Sequence, residues 1–154
     1  MREISPKSPF YADGLRFSCK RCSACCRFEA GYVFLSGKDR VLLEDYLKIG
    51  SREFSNTYCR WVTLDDGKEH LSLKEKSNFD CIFWTEDGCS VYETRPLQCR
   101  AYPFWPSILN NRKNWEITAQ SCPGIGKGAL HPEDSIKKWL NQRQMEPIIF
   151  RGVF

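Results

Sequence analysis

The sequence predicts a small α+β fold, and three observations carry that reading. Two turn signals, Asp65-Asp66-Gly67 and Glu86-Asp87-Gly88, each stand between short β-prone runs. Two stretches, about 38–49 and the segment after Pro132, carry helical spacing behind good N-terminal signals. Nine cysteines are set among short, proline-broken segments, which predicts much irregular backbone organised around a cysteine-ligated metal site. At 154 residues with 42% hydrophobic and 27% charged side chains, one domain is expected, because two independent cores rarely fit below roughly 200 residues. That balance excludes a disordered tail. No run reaches the roughly 18 apolar residues of a membrane span, so no membrane association is expected. A net charge of +4, spread evenly, gives no reason to expect nucleic acid.

In chain order, residues 1–18 read as an extended arm in which Pro6 and Pro9 block helix. Gly31-Tyr-Val-Phe-Leu35 reads as a short strand. Ser36 and Asp39 form a capping pair for a helix over about 38–49 that buries Leu43, Tyr46, Leu47 and Ile49. Residues 51–58 suit a second short helix. Arg60 to Leu64 with Glu69 to Leu73 make a first hairpin; Cys81 to Thr85 with Cys89 to Tyr92 make a second. Pro96 opens a short helix through Cys99 and Arg100, ended by Pro103 and Pro106. Residues 115–120 read as a strand. Pro132, Glu133 and Asp134 open a last helix that buries Ile136, Trp139 and Leu140. The expected organisation is an arm (1–18), a cysteine-cluster domain (19–128), and a C-terminal helix and tail (129–154) packed on the same domain.

The polar, proline-broken start has no apolar stretch of signal-peptide length, so a reducing, cytoplasmic setting is expected. There, nine thiols point to metal rather than to disulfides. Cys19-Lys-Arg-Cys-Ser-Ala-Cys-Cys26 contains the two-residue spacing twice in overlap, Cys19 to Cys22 and Cys22 to Cys25. Such loops turn successive thiolates onto one ion or cluster. Zinc ribbons pair two separate knuckles, and a second knuckle is absent. The overlapping run with a remote Cys122-Pro123 favours an iron–sulfur cluster of the four-iron type, with zinc as the alternative. The vicinal pair Cys25-Cys26 points the same way, because adjacent side chains diverge and suit a multinuclear centre or two sites. A thiolate-held cluster is anionic, and Arg16, Lys20, Arg21, Arg27, Arg95 and Arg100 lie near it in sequence. Arg95 and Arg100, flanking Pro96 and Cys99, are the candidates for hydrogen bonding and charge compensation around the sulfurs; Tyr92 is a candidate for limiting solvent access.

The knot Cys19-x2-Cys22-x2-Cys25-Cys26, then Cys81, Cys89, Tyr92-Glu-Thr-Arg-Pro-Leu-Gln-Cys-Arg-Ala-Tyr-Pro103 and Cys122-Pro-Gly124, resembles the YkgJ family of bacterial cysteine-cluster proteins over about residues 19–128. The resemblance implies zinc or iron chelation by Cys19, Cys22, Cys25, Cys26, Cys81, Cys89, Cys99 and Cys122. Some members of that family are called iron–sulfur oxidoreductases, which implies electron exchange with a redox partner protein, while the reaction and even enzymatic activity stay open. Flagellin lysine methylases are similar in their cysteine arrangement, and methylation enters as a further alternative by analogy. The glycine-rich stretch Gly124-Ile-Gly-Lys-Gly128 lacks phosphate-loop spacing and reads as a flexible loop that lets backbone approach the cluster. Cys59 falls outside the pattern and reads as a buried apolar residue. His70 and His131 read as surface or turn residues, and the five tryptophans mostly as core. Trp105 is also a candidate metal shield.

Overall fold

The computed structural model describes residues 8–20 and 31–151. Its elements run β1 (Leu15–Phe17), α1 (Gly37–Leu47), α2 (Ser51–Tyr58), β2 (Cys59–Thr63), β3 (Glu69–Leu73), β4 (Trp84–Thr85), β5 (Gly88–Cys89), a 3-10 turn (Tyr92–Thr94), α3 (Leu97–Ala101), α4 (Pro106–Leu109), α5 (Arg112–Ala119), β6 (Ile125–His131), α6 (Glu133–Met145) and β7 (Phe150–Arg151). The chain is α+β, as expected. Among the described residues, contacts gather in two compact units: 8–20 with Pro103–Asn141, and 31–102 with 142–151.

In the first unit the expected arm contributes a strand. β1 pairs antiparallel with β6, Leu15 opposite His131 and Arg16 opposite Leu130. The register then jumps, so that Phe17 faces Ile125 and residues 126–129 bulge out of the ladder. The glycine-rich stretch is therefore a bulged strand rather than a flexible loop. Gly126 and Gly128 take positive φ within the bulge, +83° and +78°, which other residues adopt only with strain. Residues 115–120, expected as a strand, form α5 instead. The alternation of Trp115-Glu-Ile-Thr is too short to outweigh the Asn111 cap, whose side chain accepts from the Asn114 N–H at 2.8 Å. Helical spacing buries Trp115 and leaves Ile117 exposed. Trp115 stacks on Phe104, which also meets Phe17 and His131 edge-on or tilted. The His131 ring nitrogen lies 2.9 Å from the Phe17 carbonyl, so this histidine is a strand residue packed among aromatics. In α6, Ile136 is fully buried, while Trp139 and Leu140 are half-buried.

The second unit holds a three-stranded sheet of order β2-β3-β7 and the small β4-β5 hairpin. The first expected hairpin forms with Cys59 opposite Leu73 and Thr63 opposite Glu69, turning where Gly67 takes φ +75°. In that turn the Lys68 backbone N–H, and then the His70 ring, hold the Asp66 carboxyl below the usual carboxylate range. The His70 ring also meets Phe34 and Phe150 and is mostly covered, so its part is in bracing the turn through Asp66 rather than lying on the surface, the two roles expected for it. The second hairpin is shorter than expected, two residues a side about Glu86 and Asp87.

α1 starts as the sequence dictates. The Ser36 hydroxyl accepts from the Asp39 N–H at 3.1 Å, and the Asp39 carboxylate accepts from the Ser36 N–H at 2.9 Å. Leu43 is fully buried; Tyr46, expected inward, is exposed, because the core reaches only the Leu43–Leu47 edge of the helix. The core comprises Leu35, Leu43, Phe54, Cys59, Leu71, Leu73, Phe83 and Val91, with Tyr58 stacked on Phe83. Residues 31–35, expected as a strand, are extended but, with Ser36, make only the isolated bridges Phe34–Ser72 and Ser36–Ile148. Among the described residues no helix is long and apolar enough to cross a membrane.

Candidate metal centre

Five of the eight pattern cysteines lie in the described residues. Cys22, Cys25 and Cys26, with the neighbouring Arg21 and Arg27, lie outside them.

Cys19 and Cys122 belong to the first unit and flank one ladder. The Ser18 N–H donates to the Gly124 carbonyl at 3.2 Å, extending the β1–β6 pairing past Phe17. Cys19 follows Ser18 directly and Cys122 stands two residues before Gly124, so both come to the same end of the β-pair. A side chain at Gly124 would collide with the Ser18 carbonyl oxygen, and one at Gly128 would collide with the Ser18 hydroxyl. Glycine at these two positions lets the chain close around Ser18, whose hydroxyl accepts from the Ala129 N–H at 3.1 Å. The Arg16 guanidinium donates to the Gly128 carbonyl at 3.1 Å and so braces the bulge. Cys122 is buried and its N–H donates to the Thr118 carbonyl at the end of α5, whereas Cys19 and Lys20 are exposed.

Cys81, Cys89 and Cys99 belong to the second unit. Cys89 in β5 pairs with Trp84, and the Cys81 carbonyl accepts from the Trp84 N–H at 2.9 Å. Both cysteines pack half-buried against the core. Cys99 sits in α3, behind Pro96 at the N-cap, with its N–H donating to the Pro96 carbonyl at 2.9 Å. The Leu97 N–H in the first turn of α3 donates to the buried Asp39 carboxylate at 2.9 Å. The Arg95 guanidinium lies 3.8 Å from the centre of the Tyr92 ring and donates to the Tyr92 carbonyl. Arg100 donates to the Arg95 carbonyl at 3.0 Å and stands 4.0 Å from Asp39. Arg95 stacked on Tyr92, and Arg100 bonded to the Arg95 carbonyl, brace the start of the helix carrying Cys99. Trp105, in the first unit, is half-buried at the N-cap of α4.

Cys59 is a different kind of cysteine. It is 5% exposed in the core, and burial pushes its thiol up to about 11, against weaker pulls from Arg40 and Lys74. Such a thiol stays protonated and inert at neutral pH, as the sequence led one to expect.

Among the described residues no three His, Cys, Asp or Glu side chains gather closely enough to hold an ion. The chemistry of the donor set nevertheless fits a soft metal. The eight pattern donors are all thiols, and the two histidines lie outside the pattern, His70 beside Asp66 and His131 beside the Phe17 carbonyl. Sequence reasoning missed Ser18, Gly128, Asp39, Gln98 and Glu75 as residues that hold the cysteine-bearing segments. The signal for two of them was adjacency, Ser18 and Gln98 each standing directly before a pattern cysteine.

Curated relatives include the uncharacterized protein MJ0939 of Methanocaldococcus jannaschii, 27% identical over 122 residues, a match covering 76% of this chain and 40% of that protein. A second, the uncharacterized protein MJ0661 of the same organism, is 29% identical over 146 residues, covering 90% of this chain and 74% of that protein. The chain thus spans well under half the length of the first of these relatives. No solved structure matches it. The family model described as "CxxCxxCC: Putative zinc- or iron-chelating domain" matches residues 18–123, an interval that takes in all eight pattern cysteines. Through that match, which covers more than half of its length, the chain belongs to the CxxCxxCC family of metal-chelating cysteine-cluster domains.

Proposed function

We propose that the chain ligates an iron–sulfur cluster, of the four-iron type, through Cys19, Cys22, Cys25, Cys26, Cys81, Cys89, Cys99 and Cys122, and that it exchanges electrons with a partner protein in a reducing, cytoplasmic compartment. One observation carries the reading: the overlapping two-residue spacings of the Cys19–Cys26 run, joined to a remote Cys122-Pro123. The ladder that brings Cys19 and Cys122 to one end of β1–β6 supports it. One cluster would use four of the eight thiolates; two four-cysteine sites would use all of them.

When bound, such a cluster supplies one-electron chemistry. The chain's own residues hold thiolates in place and offset their charge. The Tyr92–Arg95 stack and the Arg100 bond to the Arg95 carbonyl brace α3 and put two guanidinium groups beside the segment of Cys99. The test is an absorption spectrum of anaerobically purified protein, with iron, zinc and sulfide quantified on the same sample. Broad visible absorption that dithionite bleaches, with iron and matching sulfide, is the expected result. Colourless protein holding zinc without sulfide would replace the proposal with a zinc-stapled structural or interaction domain. The family description favours that second reading equally, since it names zinc beside iron. Methyl-donor binding, the analogy with lysine methylases, has no supporting feature in β6, where Gly128 closes on Ser18 and Gly126 serves the bulge.

A further inference from the structure

The extended segment that leaves the cysteine run is held in an unusual way. Along one edge, residues 33–35 use β3: the Leu73 N–H donates to the Val33 carbonyl at 2.9 Å, and the Leu35 N–H donates to the Leu71 carbonyl at 3.1 Å. The Ser72 hydroxyl accepts from the Val33 N–H at 3.1 Å. The alternate groups, the Tyr32 carbonyl and the Phe34 N–H, face away from β3, as the two-residue period of extended chain requires. Among the described residues no strand pairs with that second edge. The side-chain amide of Gln98 takes its place. Its Nε2 donates to the Tyr32 carbonyl at 2.7 Å and its Oε1 accepts from the Phe34 N–H at 3.0 Å. A primary amide carries one donor and one acceptor side by side, so it reproduces the face a neighbouring strand would offer.

One residue earlier, charged side chains do the same work. The Glu75 carboxylate accepts from the Gly31 N–H, and Arg60 donates to the Gly31 carbonyl at 3.2 Å while standing 3.8 Å from Glu75. Both acceptor-bearing residues are tied to pattern cysteines. Gln98 directly precedes Cys99 in α3, and the Glu75 backbone forms an antiparallel bridge with Cys81. A capping role within α3 would not explain two bonds to a segment 64 and 66 residues away in sequence.

We propose that Gln98 and Glu75 are positioning residues of the metal centre: they clamp the exit of the Cys19–Cys26 run to the segments carrying Cys99 and Cys81. The proposal rests on the assignment of Cys81 and Cys99 as ligands, not on the identity of the metal. Hydrogen-bonding partners outside the ligand set commonly change metal retention by about 10–100-fold. Gln98→Leu removes both amide bonds at similar volume. Gln98→Glu keeps the acceptor for Phe34 and loses the donor to Tyr32. Glu75→Gln keeps an acceptor for Gly31, while Glu75→Ala removes it.

The experiment uses metal-loaded protein as purified. Metal release to excess chelator is timed, and alkylation of Cys59, Cys81 and Cys99 by a maleimide is mapped by mass spectrometry. Buried Cys59 reports on unfolding of the second unit's core. Gln98→Leu is expected to release metal at least about tenfold faster and to open Cys99 to labelling well before Cys59. Gln98→Glu should show a smaller change in the same order. Glu75→Ala should open Cys81 first, and Glu75→Gln should restore protection. Should Gln98→Leu fail to fold, Gln98→Glu decides the matter. Unchanged release with Cys99 still protected would overturn the proposal and leave the ligand assignment standing; so would labelling of Cys59 in step with Cys99, which marks a merely structural role. Rapid labelling of Cys99 in metal-loaded wild type would overturn the ligand assignment itself, and the clamp with it.

Discussion

The three glycines of Gly124-Ile-Gly-Lys-Gly128 separate steric closeness from backbone conformation, and alanine at the first of them is the sharpest test of how β6 closes on Ser18. At Gly124 an added Cβ would run into the Ser18 carbonyl oxygen and lie 3.2 Å from the Phe17 ring. The obstacle is backbone on the neighbouring strand, which cannot swing aside as a side-chain tip can. Relief requires parting β1 from β6, which also breaks the Ser18 N–H bond to the Gly124 carbonyl. Overpacking of this kind costs about 1–3 kcal/mol, and the lost hydrogen bond adds about 1 kcal/mol. Gly126 provides the control. It has φ +83° but nothing within 4 Å of an added Cβ, so Gly126→Ala carries only the left-handed penalty of roughly 1–2 kcal/mol. At about 2–4 °C per kcal/mol for a chain of this length, Gly124→Ala should melt about 10 °C below wild type and Gly126→Ala about 4 °C below. Thermal melts of both variants, followed by circular dichroism on metal-loaded protein, measure the difference. Equal melting temperatures would refute the argument that close approach to Ser18, rather than chain flexibility, demands glycine at Gly124.

Cys59 gives the second unit a pH signature. Its thiol is higher in the folded chain than the ordinary value near 9, so stability is complete below pH 9 and falls as pH climbs to about 11, by about 3 kcal/mol in all; urea titrations of wild type against Cys59→Ala should show that alkaline slope only in wild type. Ser36→Ala strips the hydroxyl from the capping box and leaves the Asp39 N–H unpaired at a buried helix start, which should cost about 1 kcal/mol in the same titrations. Cys22→Ser should lose metal by elemental analysis and melt earlier, because metal bound only by the folded chain contributes to its stability; full metal content in that variant would count against the ligand set.

Where a structural decision was local, the sequence carried it. The Ser36–Asp39 capping box needs only four residues, and the Asp65-Asp66-Gly67 turn with its flanking runs needs only fifteen; both formed as read. Decisions made by distant partners were not legible. β1 exists because β6 lies beside it, 114 residues on for the Phe17–His131 contact, and no pattern in Leu15–Phe17 announces that. β6 itself contradicts strand propensity, since three of the residues near its start are glycines; close approach to Ser18 outweighs the entropy they lose. Residues 115–120, expected as a strand, fall in and just after α5, because the Asn111 cap outweighs the short Trp115–Thr118 alternation. Tyr46 shares a helical face with Leu43 and Leu47 by spacing alone, but the core is too narrow to cover it. The candidate ligands were legible in type and spacing, because thiolate chemistry is written in residue identity. The side chains that hold them were not, since Gln98 acts across more than sixty residues through a hydrogen-bond pattern that spacing does not encode.

Both flanks of the cysteine run are held by groups that do not belong to a regular strand ladder. On the entering side, the Ser18 hydroxyl and N–H are taken by Ala129 and Gly124. On the leaving side, Gly31, Tyr32 and Phe34 are taken by Glu75, Arg60 and Gln98. The eight-residue run Cys19–Cys26, with four thiols, would lose much conformational freedom on wrapping a metal, at about 1–2 kcal/mol per residue fixed. Fixing its ends beforehand lowers the part of that cost which falls at the moment of binding, as preorganisation does for any ligand. Side-chain clamps suit this task better than a continuous strand would. A strand carried into the run would impose alternating directions on Cys25 and Cys26 and oppose the turning backbone that doubled two-residue spacing requires. On the entering side the Ser18 N–H bond to Gly124, and on the leaving side the bonds of Val33 and Leu35 to β3, hold the described flanks of the run.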